Sequence, residues 1–273
     1  MTRTNLFLGL ILVSFLVTDT AWSQFTTAVA PARVEQLVNP GSKVEDVITF
    51  TNQGDTPVKV SISIVDFDVD EMGTVTELPP GMHPTTIAPY FRISPLRTTV
   101  GAKEQAHFRF SVDTPEAFEQ LRAFVYFESE PLVEEGGGKQ IVFATAMGIP
   151  LYVENRKADR GTLTVHDVSW ERTGDERQYV QMKVHVTNEG ARNIRPGGFL
   201  TVQSADDRFL ETFDVNTGGD VVLPGHERHL TMQFGPIPDD ALSLKLRFET
   251  SARSNYQDEY HMPKAVPAEE GGR

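Results

Sequence analysis

Apolar residues in this chain recur at every second position over most of its length, and that period sets what it can fold into. In "KVEDVITFTNQGDTPVKVSISIVDFDVDEMGTV" two alternating runs meet at "NQGDTP", a loop of turn formers. Alternation puts one face of an extended chain in a core and the other in water. Val58, Val60, Ile62 and Ile64 share one parity, and Val65, Phe67 and Val69 take the other. Such a switch predicts a β-bulge or a bend that carries the strand to another layer. "HFRFSVDTP" and "LRAFVYFESEP" follow, then the loop "VEEGGGK", then the longest run, "KQIVFATAMGIPLYVENRK". One frame of that run reads Ile141, Phe143, Thr145, Met147, Ile149, Leu151, Val153. The other reads Val142, Ala144, Ala146, Gly148, Pro150, Tyr152, a mostly small face. The best helical candidate, "TPEAFEQLRAF", is short and sits between strand-like runs.

The pattern stops at "ENRKADRG" and restarts as "GTLTVHDVSWE", "QYVQMKVHVTNEG", "GFLTVQS", "RFLETFDV", "RHLTMQFGP" and "LSLKLRFET". Short strands separated by Gly, Pro, Asn and Asp are the sequence form of β-sandwiches. The expected fold is all-β, with two tandem immunoglobulin-like sandwiches over residues 25–155 and 161–263, a linker at 156–160 and a disordered tail at 264–273. The two halves share a likeness. "ITFTNQGDTPV" and "VHVTNEGARNI" each set a strand before T-N-x-G. An Asn side chain there can hydrogen-bond nearby backbone. Convergent turn chemistry and duplication both account for the likeness.

The first residues read as an export signal. Arg3 precedes the apolar run "LFLGLILVSFLV", too short to span a bilayer, and a small-x-small site follows at Ala21 and Ser23. A signal peptide over residues 1–23 is expected, with the mature protein in the periplasm or outside the cell. The chain has no Cys, so an exported protein of this sequence takes its stability from its core rather than from disulfides. Its net charge of −13 argues against non-specific nucleic-acid binding, which needs clustered Lys and Arg, and against docking on anionic lipid. No second apolar run reaches membrane-spanning length, so direct membrane insertion is not expected.

Motifs for catalysis are missing. The sequence holds no G-x-S-x-G, no H-E-x-x-H and no Cys nucleophile. "EEGGGK" lacks the Ser or Thr that would follow a phosphate-cradling loop, and reads as a hairpin loop. The expectation is a non-enzyme without cofactor. "DFDVDEMGTVTE" sets Asp66, Asp68, Asp70 and Glu77 at positions 1, 3, 5 and 12 of a calcium loop, but Glu71 stands where such a loop turns on Gly. Those acids read instead as the solvent face of a strand leading into a turn, where they also discourage edge pairing. Whether Asp66, Asp68 and Asp70 hold a cation stays open at this point. His226 and His229 in "PGHERHL" fall on opposite faces of a strand with no third His or Cys nearby in sequence, so no metal site is expected there. Trp170 and Tyr179 are expected in the second core.

Four stretches together carry a family resemblance. They are "APARVEQ", with an Arg in the first strand; the strand pair around N-x-G; "PYFRISPLRTTVGAKEQAHFRFSVDTP"; and "LRAFVYFESEP" followed by a loop and a strand ending in "LYVENRK". From about Ala28 to Lys157 the chain resembles the PapD-like periplasmic pilus-assembly chaperones. The resemblance implies that the long strand is lent to a fibre subunit lacking its own last strand, a β-augmentation. It implies Ile141, Phe143, Met147, Ile149 and Leu151 as partner-binding residues and Arg33 as the anchor of the subunit's terminal carboxylate. The implied partners are protein subunits of a surface fibre and an outer-membrane usher. Pro150 stands where that family keeps an anchoring Lys, and proline can neither donate a backbone hydrogen bond nor neutralise a carboxylate. Arg156 and Lys157 lie a few residues on. The alternative is a non-catalytic scaffold or adhesion module of an envelope or extracellular complex, with the same strand internal. An accessory domain of a carbohydrate-active enzyme is a third class. Pro150 favours the scaffold, and the long one-faced strand favours the chaperone.

Overall fold

The computed structural model describes residues 27–132, 144–173, 179–204, 206–216, 220–238, 241–249 and 255–261. The expected signal segment and tail lie outside the described residues, as do Ile141 and Phe143 of the long strand.

The first half folds as β1 (Thr27–Ala30), β2 (Val34–Val38), β3 (Lys43–Asn52), β4 (Val58–Val69), β5 (Val75–Leu78), β6 (Phe91–Ser94), β7 (Arg97–Val100), β8 (Gln105–Asp113), β9 (Gln120–Pro131) and β10 (Thr145–Asn155). One sheet runs β1-β3-β8-β6. The other runs β2-β10-β9-β4-β5, with β7 also beside β4. Ile48, Phe50, Val60, Phe108, Val125 and Phe127 fill the space between them. The Phe127 ring lies 5.1 Å from Phe108, edge-on, and 6.4 Å from Phe50. The second half forms β11 (Leu163–Thr173), β12 (Tyr179–Asn188), β13 (Gly197–Ser204), β14 (Phe209–Asn216), β15 (Glu227–Phe234), β16 (Ala241–Glu249) and β17 (Asn255–His261). Its sheets are β11-β12-β15 and β14-β13-β16-β17. Met182, Val184, Leu200, Leu246 and Phe248 centre its core, with Trp170 packed half-buried against it. Tyr179 is only half-buried, at the start of β12.

No α-helix forms among the described residues. "TPEAFEQLRAF" becomes a turn and then the start of β9, because Gln120, Leu121, Arg122 and Ala123 are all buried. A stretch covered on both faces satisfies its backbone in a sheet as well as in a helix, and here the flanking strands decide.

Asn52 and Asn188 do the same work in the two sandwiches. Asn52 Nδ2 donates to the Thr56 carbonyl at 2.8 Å and to that of Gly101 at 2.9 Å, while its Oδ1 accepts from the Gly54 amide at 3.0 Å. Asn188 Nδ2 donates to the carbonyls of Arg192 and Val222, both at 2.8 Å, and its Oδ1 accepts from the Gly190 amide at 2.9 Å. Both residues are fully buried, which a polar amide tolerates because its donors and acceptor are paired.

The parity switch in β4 has a cause other than a bulge. Its register with β9 runs unbroken from Val58 to Val65, and from Asp66 the strand pairs with β5. Beyond that handover Phe67 and Val69 no longer face the first core. They pack with Tyr152 of β10 and with Val221 and Leu223 of the second half in a separate apolar cluster that joins the two sandwiches.

Candidate functional site

Strand β10 changes company half-way. From Leu151 to Asn155 it is flanked by β9 and, in parallel, by β2, with Leu151 opposite Val34. From Thr145 to Pro150 only β9 lies beside it among the described residues. Pro150 sits at the border, and it suits a place where no ladder bond from its nitrogen is needed. Ile149 and Leu151 are fully buried in the first core, and Met147 packs half-buried at its margin. Two of the side chains expected to receive a partner are thus already occupied, and what β10 leaves open is its backbone edge, with Met147 next to it. On the other face a Cβ at Gly148 would stand 2.7 Å from a Tyr126 ring carbon. That face is small because Tyr126 lies across it. The Tyr126 hydroxyl donates to Glu77, and burial together with that carboxylate pushes its pKa up to about 12.

A cleft of about 510 Å³ adjoins the border of the two halves. Phe67, Phe124, Pro150 and Tyr152 give it apolar walls, and Arg33, Arg195 and Arg228 line it as well. Arg33 pairs loosely with Glu35, at 3.6 Å, both side chains substantially exposed. The same carboxylate takes Arg195 of the second sandwich, whose Nε lies 2.7 Å and whose second terminal nitrogen 2.5 Å away. The Arg195 guanidinium also sits over the Tyr152 ring at 5.8 Å. Arg228 is buried, donating to the Val221 carbonyl at 2.9 Å and to Asp220 at 3.2 Å, while its Nε has no hydrogen-bond partner. Its approach requires Gly73, where a Cβ would stand 2.6 Å from an Arg228 nitrogen and where φ is +89°. Three guanidiniums against the carboxylates of Glu35 and Asp220 leave this cleft cationic, in a chain whose net charge is −13.

Behind the cleft a polar network locks the sandwiches together. Asp68 accepts from Arg122 at 2.9 Å and contacts His226 Nε2 of the second half at 2.8 Å. Arg122 is buried and also donates to the Phe67 carbonyl and to Gln120, at 3.1 and 3.0 Å. Burial raises the Asp68 pKa, but the Val69 amide, His226 and Arg122 outweigh it and hold the carboxyl below its ordinary range. Burial and the nearby Arg122 charge pull His83 down. Further ties are the Asn193 amide to Glu154 at 2.6 Å and the His229 amide to the Glu71 carbonyl at 2.7 Å. Burial raises the pKa of Glu154.

Of the acids in "DFDVDEMGTVTE", Asp70, Glu71 and Glu77 are exposed as expected, Asp68 is half-buried, and Asp66 leaves the solvent face. Asp66 is fully buried and accepts from the amides of Met82 and His83 and from Thr86 Oγ1 at 2.9, 3.0 and 2.7 Å. Asp70 caps its turn through the Met72 and Thr74 amides. The four carboxylates serve separate tasks, and among the described residues no group of three or more His, Cys, Asp or Glu is set to hold a metal ion. The reading of solvent-facing acids fails at Asp66, where the segment 82–86 covers the side of β4 opposite Phe67. Arg122, Arg195 and Arg228 escaped the sequence reading. The one available signal was a cation inside the apolar run "LRAFVYF".

No protein-family model matches the sequence, and no curated protein matches it. Solved structures match it at low identity. The Salmonella enterica SafA pilin in complex with the SafB chaperone matches at 15% identity, over 89% of this chain and 99% of that one, with a TM-score of 0.45. In fold the chain resembles the PapD-like chaperones. The E. coli chaperone DraB matches at 14% identity over 88% of this chain and 97% of its own, TM-score 0.44. The class 5 fimbriae chaperone CfaA matches at 7% identity over 87% and 99%, TM-score 0.45. At such identities the likeness to PapD-like chaperones is one of fold.

Proposed function

We propose that this protein is an exported, non-catalytic periplasmic chaperone that holds subunits of a surface fibre by β-augmentation at the open half of β10. The observation that carries this reading is the alignment of that edge with the cationic cleft. A strand edge presents unpaired N–H and C=O groups that another strand can take up. An incoming strand beside residues 145–150 and parallel to β10 would lie in line with β2, which pairs parallel from Leu151 onward. Its C-terminus would then arrive just before Val34, beside Arg33 and the cleft. Its terminal carboxylate would find guanidiniums there, the donors best matched to a carboxylate leaving water. Arg195 and Arg228 supply the charge that Pro150 does not.

A peptide ending in a free carboxylate should bind, and its C-terminal amide should bind about tenfold or more weakly, the loss expected of a charged hydrogen bond. Equal affinity for both removes the cleft from the reading. The scaffold reading is favoured by one observation, the burial of Ile149 and Leu151 in their own core. It expects no peptide binding at all, so isothermal titration with the free-acid peptide separates the two.

A further inference from the structure

Three of the seven histidines stand in a row on the outer face of the β11-β12-β15 sheet. The His166 and His185 rings are 4.8 Å apart, and those of His185 and His229 are 4.3 Å apart with their planes only 17° from parallel. Each ring comes from a different strand. His185 and His229 are directly opposed across β12 and β15. His166 is the extra residue where the β11–β12 register shifts between Val165 and Asp167, and a bulge of that kind re-aims a side chain. Val184, Val186 and Leu230, next to these histidines in sequence, point into the core, so the imidazoles point out. Two rings already have one nitrogen engaged. His166 Nε2 meets Thr187 Oγ1 at 2.6 Å, and His185 Nε2 meets Glu227 at 3.3 Å. The Glu227 carboxylate can only accept, so it holds the N–H of His185 on Nε2 and leaves the lone pair on Nδ1, which is how outer partners prepare a metal-binding imidazole.

We infer that His185 and His229, with His166 as a third ring in line, form an open surface site for one imidazole-preferring divalent transition-metal ion. Zinc–nitrogen bonds are about 2.0–2.1 Å, so two nitrogens at a tetrahedral angle stand about 3.3 Å apart. Near-parallel rings 4.3 Å apart aim their in-plane lone pairs side by side, so both half-buried side chains must rotate for their nitrogens to converge on one ion. The cross-strand pair supplies the two protein ligands of the proposed site, since among the described residues no group of three or more His, Cys, Asp or Glu is set to hold a metal ion. Water completes the coordination, and the neutral nitrogen donors disfavour hard ions such as Mg²⁺ and Ca²⁺.

The test is calorimetric titration of tag-free, full-length protein with ZnCl₂, with MgCl₂ as the comparison. One Zn²⁺ per chain with micromolar affinity is expected, and no Mg²⁺ binding. His185→Asn and His229→Asn should each weaken Zn²⁺ binding by more than about a hundredfold, beyond the roughly 10–100-fold that loss of an outer-shell partner costs. His107→Asn, in the first sandwich, should leave it unchanged. On the unaltered protein, Zn²⁺ should perturb the imidazole NMR signals of His166, His185 and His229 selectively, a readout that needs no variant to fold. No Zn²⁺ binding, undiminished binding by the His185→Asn/His229→Asn double variant, or perturbation of other histidines instead would each overturn the proposal.

Discussion

The two halves of β10 are built from the same alternation and do different things. Residues 151–155 are covered on both edges and hold the first sandwich to β2, while Tyr152 and Glu154 reach the second sandwich. Residues 145–150 share β9 but have no second neighbour among the described residues. The inward side chains do not distinguish the halves, since Ile149 and Leu151 are equally buried. What separates them is the backbone edge, and Pro150 marks the change.

Substitutions can break this contrast, the strongest first. Leu151→Ala removes a fully buried side chain from the covered half and should lower stability by about 2–5 kcal/mol, read as a shift in the urea midpoint. Ile149→Ala should cost nearly as much. If it proves silent, residues 145–150 are not part of the core. Met147→Asp, at the margin of the core, should cost about 1–2 kcal/mol while abolishing peptide capture, a pairing of effects that calorimetry and urea melts resolve together. Pro150→Lys adds a cation at the cleft. Affinity for a free-acid peptide should rise by about tenfold, the scale of one charge-assisted hydrogen bond, with little change in melting temperature.

The smallest effect tests the covered half by pH. The folded state favours the protonated form of Glu154 because burial raises its pKa. Its stability contribution is present below the ordinary Glu value of about 4.3 and is lost as pH rises through the higher folded value. In Glu154→Gln that loss should vanish, so the variant's urea midpoint should gain on the wild type's as pH rises from about 4 to about 7. A constant difference across that range would remove Glu154 from the pH response.

The all-β fold and the paired Asn corners were legible because both rest on local rules, period-two alternation and the reach of an Asn side chain to backbone two and four residues on. The signal stopped where neighbours come from far along the chain. Alternation shows that one face of β10 is buried, but not whether its own core or a partner buries it. Asp66 looked solvent-facing because its parity opposes Phe67 and Val69, yet a segment further along the chain, residues 82–86, covers that side of the strand. Arg33 is legible from its place in "APARVEQ", though it lies in the connection between β1 and β2 rather than in the first strand. The cations that accompany it come from "ARNIRPG" and "HERHL" in the second half, which nothing local connects to β10.

The parallel pairing of Val34 with Leu151 also orders events in time. The second strand of the first sandwich must wait for its last, because no earlier segment occupies that place in the sheet. Until β10 is available, β9 has an uncovered side and the first core lacks Ile149 and Leu151. Non-local closure of this kind is slow, and the unfinished state exposes a strand edge to every other newly made chain. A protein whose proposed work is to cover the edges of others thus passes, on each round of its own synthesis, through an interval of the same vulnerability.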